Sequence, residues 1–168
     1  NLIIMKKLLF LLLAACVSMA SFSQTKIKKV YDETIDPNVQ ISNAIDSASK
    51  EGKFVVCQVG GNWCKWCLRF AAFIEGEEEI KKMVDENFVY IHVNYNPRND
   101  SDATKTSSAE MLARLGNPGR FGYPALVVLD GNGNVIHIQD SSFLESGDGY
   151  DKGKVIRFFK NWTPSVVN

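Results

Sequence analysis

Apolar positions fall into two kinds of run along this chain. The first is continuous: residues 8–17 are apolar without a break. Met5-Lys6-Lys7 places positive charge before that run, and the small residues Ser18, Ala20, Ser21 and Ser23 follow it. Charge, short apolar core and small residues are the layout of a secretory signal peptide. The core is too short to span a bilayer. We read residues 1–23 as this leader, with Met5 as the true start and residues 1–4 upstream of it. Residues 24–168 then form a single domain.

The second kind of run is periodic or short. Val30 and Tyr31 suggest an edge strand. Asp36-Pro37 sets up a helix, with Asp36 as cap and Pro37 where a missing N–H costs least. Ile41, Ala44, Ile45 and Ala48 continue at helical spacing, and Gly52 ends the helix. Phe54-Val55-Val56-Cys57-Gln58-Val59 reads as a buried strand, turned by Gly60-Gly61-Asn62. A helix opens at residues 63–67 and runs through Leu68, Phe70, Ala71 and Phe73. Ile80, Met83 and Val84 extend the helical pattern after a kink near Gly76. Residues 88–93 read as a second core strand.

Residues 94–106 are polar with little period and predict a surface loop, followed by a short helix over residues 108–115. Residues 117–122 are rich in turn formers. Residues 125–129 form a strand, joined to residues 135–138 by the Asp130-Gly131-Asn132-Gly133 hairpin turn. Residues 141–150 predict another loop. Residues 154–162 close the chain as a helix with Val155, Ile156, Phe158 and Phe159 inward. The order predicts an α/β fold: a central mixed sheet flanked by helices on both faces.

Composition narrows the picture only slightly. Nineteen Lys and Arg balance nineteen Asp and Glu, so no basic excess points to nucleic acid. Removing residues 1–23 would remove two lysines and no acids, leaving a slight negative charge. Two cleavage modes compete. Leu13-Ala14-Ala15-Cys16 resembles a lipoprotein box, which would lipidate Cys16 and anchor the protein to a membrane. Ser21-Phe22-Ser23-Gln24 resembles an ordinary site, cleaved before Gln24. Either one sends the chain to an oxidising bacterial envelope, where cysteines have redox consequences.

The four cysteines therefore carry the most information. Trp63-Cys64-Lys65-Trp66-Cys67 places two thiols within disulfide reach at a helix start. Unpaired backbone N–H groups and the helix dipole favour an anion there. A thiolate is the reactive species, so Cys64 is placed as a nucleophile and Cys67 as the resolving thiol. Lys65 adds nearby positive charge. This chemistry requires no metal or organic cofactor. A Cys-x-x-Cys pair is also half of a zinc site, with Cys57, His92 and His137 available as supplements, or a purely structural disulfide. Cys57 itself reads as a small core residue on its strand.

Downstream comes Gly122-Tyr123-Pro124-Ala125-Leu126-Val127-Val128-Leu129-Asp130. With the Trp-Cys-x-x-Cys motif after a strand, this sequence resembles the thioredoxin superfamily over roughly residues 37–163. More narrowly, it resembles bacterial extracytoplasmic proteins of the DsbD C-terminal-domain, disulfide-reductase and disulfide-isomerase-like groups. The resemblance implies a thioredoxin-like fold and a cis Pro124 facing the dithiol. It further implies that Trp63, Trp66, Tyr123 and Pro124 meet the substrate. Protein thiols and disulfides would be the partners, with a membrane thiol relay as electron donor.

Three departures from that pattern bear on mechanism. Thioredoxins commonly place a buried acid six residues before the first cysteine, to handle the resolving thiol's proton. Gln58 stands there and cannot titrate. Lys65-Trp66 replaces the usual Gly-Pro, and Trp66 serves either as a docking surface or as a cover for the helix. The interval between Cys64 and Pro124 is enlarged around residues 94–121, which suggests a substrate rim. The expected function is disulfide exchange with proteins, as a reductase or isomerase rather than a primary oxidase. The alternative is a non-catalytic envelope protein whose disulfide is structural.

Overall fold

The computed structural model describes residues 28–98 and 102–168. The predicted leader, with Cys16, lies outside the described residues. Helix α1 (Pro37–Glu51) begins where Asp36 accepts hydrogen bonds from the Asn38 and Val39 N–H groups, and it ends at Gly52 in the left-handed conformation. Strand β1 (Phe54–Gly60) follows, then α2 (Lys65–Gly76), α3 (Glu78–Asn87) and β2 (Phe88–Asn94). The kink expected near Gly76 is a full break, with Glu77 extended between the two helices. Helix α4 (Asp102–Arg114) leads through a 3-10 turn (Pro118–Phe121) to β3 (Ala125–Leu129) and β4 (Val135–Asp140). A second 3-10 turn (Ser141–Leu144), the two-residue strands β5 (Glu145–Ser146) and β6 (Gly149–Tyr150), α5 (Lys152–Asn161) and α6 (Pro164–Val167) complete the chain.

The main sheet has the order β2-β1-β3-β4. Strand β1 runs parallel to β2, from Phe54 opposite Phe88 to Gly60 opposite Asn94, and antiparallel to β3. Strands β3 and β4 form the predicted antiparallel hairpin. Both central strands are buried along their whole length. Side chains alternate between faces along a strand, and β1 sorts its residues accordingly. Phe54 and Val56 join Phe70, Ile74, Ile80, Val84, Val155 and Phe159 beneath α2, α3 and α5. Val55, Cys57 and Val59 join Ile41, Ala48, Met111 and Leu115 beneath α1 and α4. Phe70 and Phe159 are wholly buried, each contributing roughly 1.5–3 kcal/mol of transfer free energy. Among the described residues, no helix is long and apolar enough to cross a membrane.

Three expectations need correction. Val30 and Tyr31 form no edge strand: their N–H groups donate to the Asn62 side-chain oxygen at 3.2 Å each, and the Asn62 amide donates to the Tyr31 carbonyl at 2.8 Å. One side chain thus supplies the pairing that a strand would have supplied. Residues 102–106 are helical, not loop, so the added length before Pro124 packs on the sheet face with α1. Ser107 Oγ donates to Asp36, the Asn38 amide donates to the Ser107 carbonyl, and Arg114 donates to the Asn38 carbonyl, which ties α4 to the start of α1. Residues 141–150 are a 3-10 turn and a miniature hairpin rather than an irregular loop.

Candidate active site

Strand β1 delivers the chain to Gly60, and the Cys64 N–H closes the following turn on the Gly61 carbonyl at 3.0 Å. Cys64 is the N-cap of α2, and its Sγ accepts from the Cys67 N–H at 3.2 Å. One turn places Cys64 and Cys67 5.2 Å apart at Cα, joined as a disulfide. Cys64 is 7% exposed and Cys67 is fully buried. Any attack from outside therefore reaches Cys64.

Gly60 at the end of β1 and Gly61 after it are both forced by packing. A Cβ on Gly60 would collide with Cys67 Sγ and stand 2.9 Å from the Tyr31 hydroxyl. A Cβ on Gly61 would stand 2.5 Å from the Trp63 indole nitrogen and 3.0 Å from the Tyr95 carbonyl. Trp63 Nε1 donates to that carbonyl at 2.8 Å, and its ring meets Tyr123 edge-on at 5.7 Å. Tyr95 lies against Tyr123 at 5.4 Å. These three rings build one wall of the site, with Trp63 still 44% exposed.

The Tyr123–Pro124 peptide bond is cis. The Tyr123 carbonyl oxygen lies 3.6 Å from Cys64 Sγ, and Pro124 is buried at the head of β3. Burial, helped by Tyr95, pushes the Tyr123 phenol up to about 12. Trp66 is half-buried. Its ring meets Tyr150 edge-on at 5.6 Å, Arg69 lies 4.9 Å above it, and its carbonyl accepts from the Tyr150 hydroxyl at 3.3 Å. Lys65 is exposed at the first helical position.

Beneath the disulfide lies a polar group on the otherwise apolar face of β1. Gln58 is fully buried. Its Nε2 donates to the Tyr31 hydroxyl at 2.5 Å and to the Cys67 carbonyl at 2.9 Å, while its Oε1 accepts from the Tyr90 hydroxyl at 2.6 Å. Burial holds both phenols well above their ordinary range, so both stay neutral. The sequence singled out Gln58 but gave no sign of its two tyrosine partners.

The structure thus gathers Gln58, Trp63, Cys64, Lys65, Trp66, Cys67, Tyr123 and Pro124 at one end of the sheet. Of the three zinc supplements, His92 lies beside the site, its ring 5.3 Å from Tyr31 and 5.4 Å from Tyr90, and the other two lie elsewhere. Cys57 belongs to the opposite core cluster, where burial pushes its thiol up to about 12. His137 stacks on Trp162 at 4.3 Å. Among the described residues, no group of three His, Cys, Asp or Glu could hold a metal ion.

Comparison with curated proteins found no match. Among solved structures, a disulphide isomerase from Xylella fastidiosa Temecula1 superposes with a TM-score of 0.65 at 19% identity, over 80% of this chain and 96% of that one. A DsbH oxidoreductase aligns over 92% of this chain and 98% of its own at 15% identity and a TM-score of 0.49. The oxidised DsbD C-terminal domain of Neisseria meningitidis aligns over 80% and 99% at 23% identity and a TM-score of 0.47. The Xylella superposition carries the thioredoxin-like fold. Residues 19–158 match a family model, Thioredox_DsbH, described as a protein of unknown function, DUF255. That span is most of the sequence, and the chain belongs to this thioredoxin-like family.

Proposed function

We propose that this protein is a thiol–disulfide oxidoreductase of the bacterial cell envelope, acting on proteins as a reductase or isomerase. The observation that carries the reading is the asymmetry of the disulfide. Cys64 stands at a helix N-terminus beside the Tyr123 carbonyl, and Cys67 is sealed beneath it. A partner thiolate attacks Cys64 Sγ, the Cys64–Cys67 bond breaks, and its electron pair stays on Cys67. The mixed disulfide then resolves by attack of a second partner thiolate, or in reverse by Cys67. An extended substrate lies along Trp63, Tyr123 and Pro124, with Trp66 and Lys65 on the neighbouring helix surface.

The surroundings of the sulfurs support this direction. A strong oxidant needs a well-stabilised thiolate in its reduced form. Cys64 has one backbone N–H for that purpose, and the nearby Tyr123 oxygen is an acceptor that favours the protonated thiol. Gln58 adds no charge. Such a site holds electrons less firmly than an oxidase does and passes them on. The envelope location rests on the leader-like residues 1–23, and N-terminal sequencing of the exported protein tests it: a start at Gln24, or a lipidated Cys16, supports it.

The decisive experiment replaces Cys67 by Ala. We expect Cys67→Ala to accumulate mixed disulfides through Cys64, whose thiolate attacks a disulfide of an unfolded, disulfide-bonded substrate protein and expels the other substrate sulfur as a thiolate, and Cys64→Ala to form none. Failure of Cys67→Ala to trap any partner would leave the disulfide a structural one. A Cys64–Cys67 potential more negative than about −180 mV fits reduction or isomerisation, whereas one near −120 mV fits an oxidase.

A further inference from the structure

We propose that the Tyr31 hydroxyl is the hydrogen-bond donor that receives the Cys67 thiolate when the disulfide opens. The inference rests on the exchange reading above and assigns the group that replaces the missing acid at Gln58.

A thiolate at Cys67 forms out of reach of solvent, since that residue is fully buried. A buried charge without a donor is costly. Gln58 cannot provide one, because its two amide hydrogens are directed at the Tyr31 oxygen and the Cys67 carbonyl. The amide orientation is fixed, because a carbonyl can only accept. Tyr31 therefore receives at its oxygen and keeps its own hydrogen to direct elsewhere. Gly60 shows where that hydrogen can go. The point its Cβ would occupy lies 2.9 Å from the Tyr31 hydroxyl and closer still to Cys67 Sγ. Hydroxyl and sulfur border one gap, left open because residue 60 has no side chain. Tyr31, Cys64, Cys67 and Leu68 form one buried cluster around it.

The other groups packed about this site offer no buried charge. Tyr90 and His92 on β2, Tyr123 before Pro124, and Tyr150 on β6 are all neutral at neutral pH. Burial raises the phenols and lowers the His92 imidazole to about 4. Lys65, Arg69 and Glu75 lie on α2 itself, Lys65 and Glu75 exposed and Arg69 over the Trp66 ring. Glu33 faces Asn62. Tyr31 also stays protonated under all working conditions. In the step itself Tyr31 transfers nothing. The partner thiolate bonds to Cys64, the electron pair of the broken bond rests on Cys67, and Tyr31 holds that anion until the reverse attack.

The test titrates Cys67 directly, in the full chain carrying Cys16→Ser and Cys64→Ala, by the ultraviolet absorbance of the thiolate against pH. Adding Tyr31→Phe keeps the ring and removes the hydroxyl. We expect it to raise the Cys67 midpoint by about one pH unit. Tyr90→Phe removes a buried hydroxyl from the other arm of Gln58 and should shift the midpoint less than half as far. An unchanged midpoint in Tyr31→Phe overturns the proposal, as does an equal shift in Tyr90→Phe. If Tyr31→Phe does not fold, Tyr31→3-fluorotyrosine decides: a stronger donor lowers the midpoint, and any other result overturns the proposal. The midpoint needs no partner protein. A shift without trapping by Cys67→Ala would remove the exchange reading alone, and trapping without a shift would remove this inference alone.

Discussion

At position 60 the useful property is an absence. Strand β1 ends against the sulfur of Cys67 and the hydroxyl of Tyr31, and only hydrogen fits between them. Gly60→Ala overpacks a fully buried place, where extra methylenes cost about 1–3 kcal/mol. We expect urea denaturation of Gly60→Ala to show a loss of that size, with a larger loss for the oxidised than for the reduced protein. Equal losses in both states would show that the disulfide is not what the added methyl strikes. The sequence reading put Gly60 in the turn, whereas it is the last residue of β1, and that reading was silent about this constraint. The same holds for Gln58, which is legible as a departure from a family pattern. Its partners Tyr31 and Tyr90 lie 27 and 32 positions away along the chain. Single contacts at such separations leave no periodicity to read.

Helices were legible where their own residues determine them. The cap at Asp36, the proline at the first turn and the apolar spacing of Ile41, Ala44 and Ala48 all sit within one element, and α1 forms where they direct. Helix α4 differs because residues 102–106 carry no apolar stripe. The helix is held by a neighbour instead, through Ser107 in its middle and Arg114 at its end on the start of α1. The two helices therefore share Asp36 as a joint: it caps one and accepts from the other. Asp36→Ala should cost about 1 kcal/mol from the lost cap alone, and more if the α4 contact counts. The Ser107 hydroxyl and the backbone donors at Val39 and Asn38 hold the Asp36 carboxyl below its ordinary range. A carboxyl lowered in the folded state contributes stability above its unfolded value and loses it as pH falls through the folded one. The deficit of Asp36→Ala against the parent protein, measured by denaturation, should accordingly shrink in acid. A deficit that is constant with pH would deny the carboxylate that role.

Across the whole molecule, the two sheet faces were predictable and the site between them only in part. Alternation along β1 assigns each residue to a face, and the dithiol helix and the Asp130–Gly133 turn fall where their motifs place them. The wall of Trp63, Tyr95 and Tyr123 and the miniature hairpin behind Trp66 arise only when distant segments meet. The same burial sets a global dependence on pH. His92 is held at about 4 by desolvation, with Glu75 opposing, and its Nε2 has no hydrogen-bond partner among the described residues. The unfolded chain takes up that proton near pH 6.5 and the folded one does not. Stability is then complete above pH 6.5 and declines as pH falls toward 4, by on the order of 2 kcal/mol. Denaturation midpoints of His92→Phe should show a flatter profile in that window. An unaltered slope would mean that other groups carry it.

The place of Trp66 next to Cys67 has a consequence for observing the protein. Two of the three tryptophans, Trp63 and Trp66, are each bonded to a cysteine of the pair, while Trp162 stacks on His137. Disulfides accept electrons from excited indoles at short range and quench their emission. The chain therefore contains its own optical gauge of oxidation state. Light emitted from residues 63 and 66 rises as the bond opens, with Trp162 as a background set by its histidine, so turnover can be followed without attaching a dye.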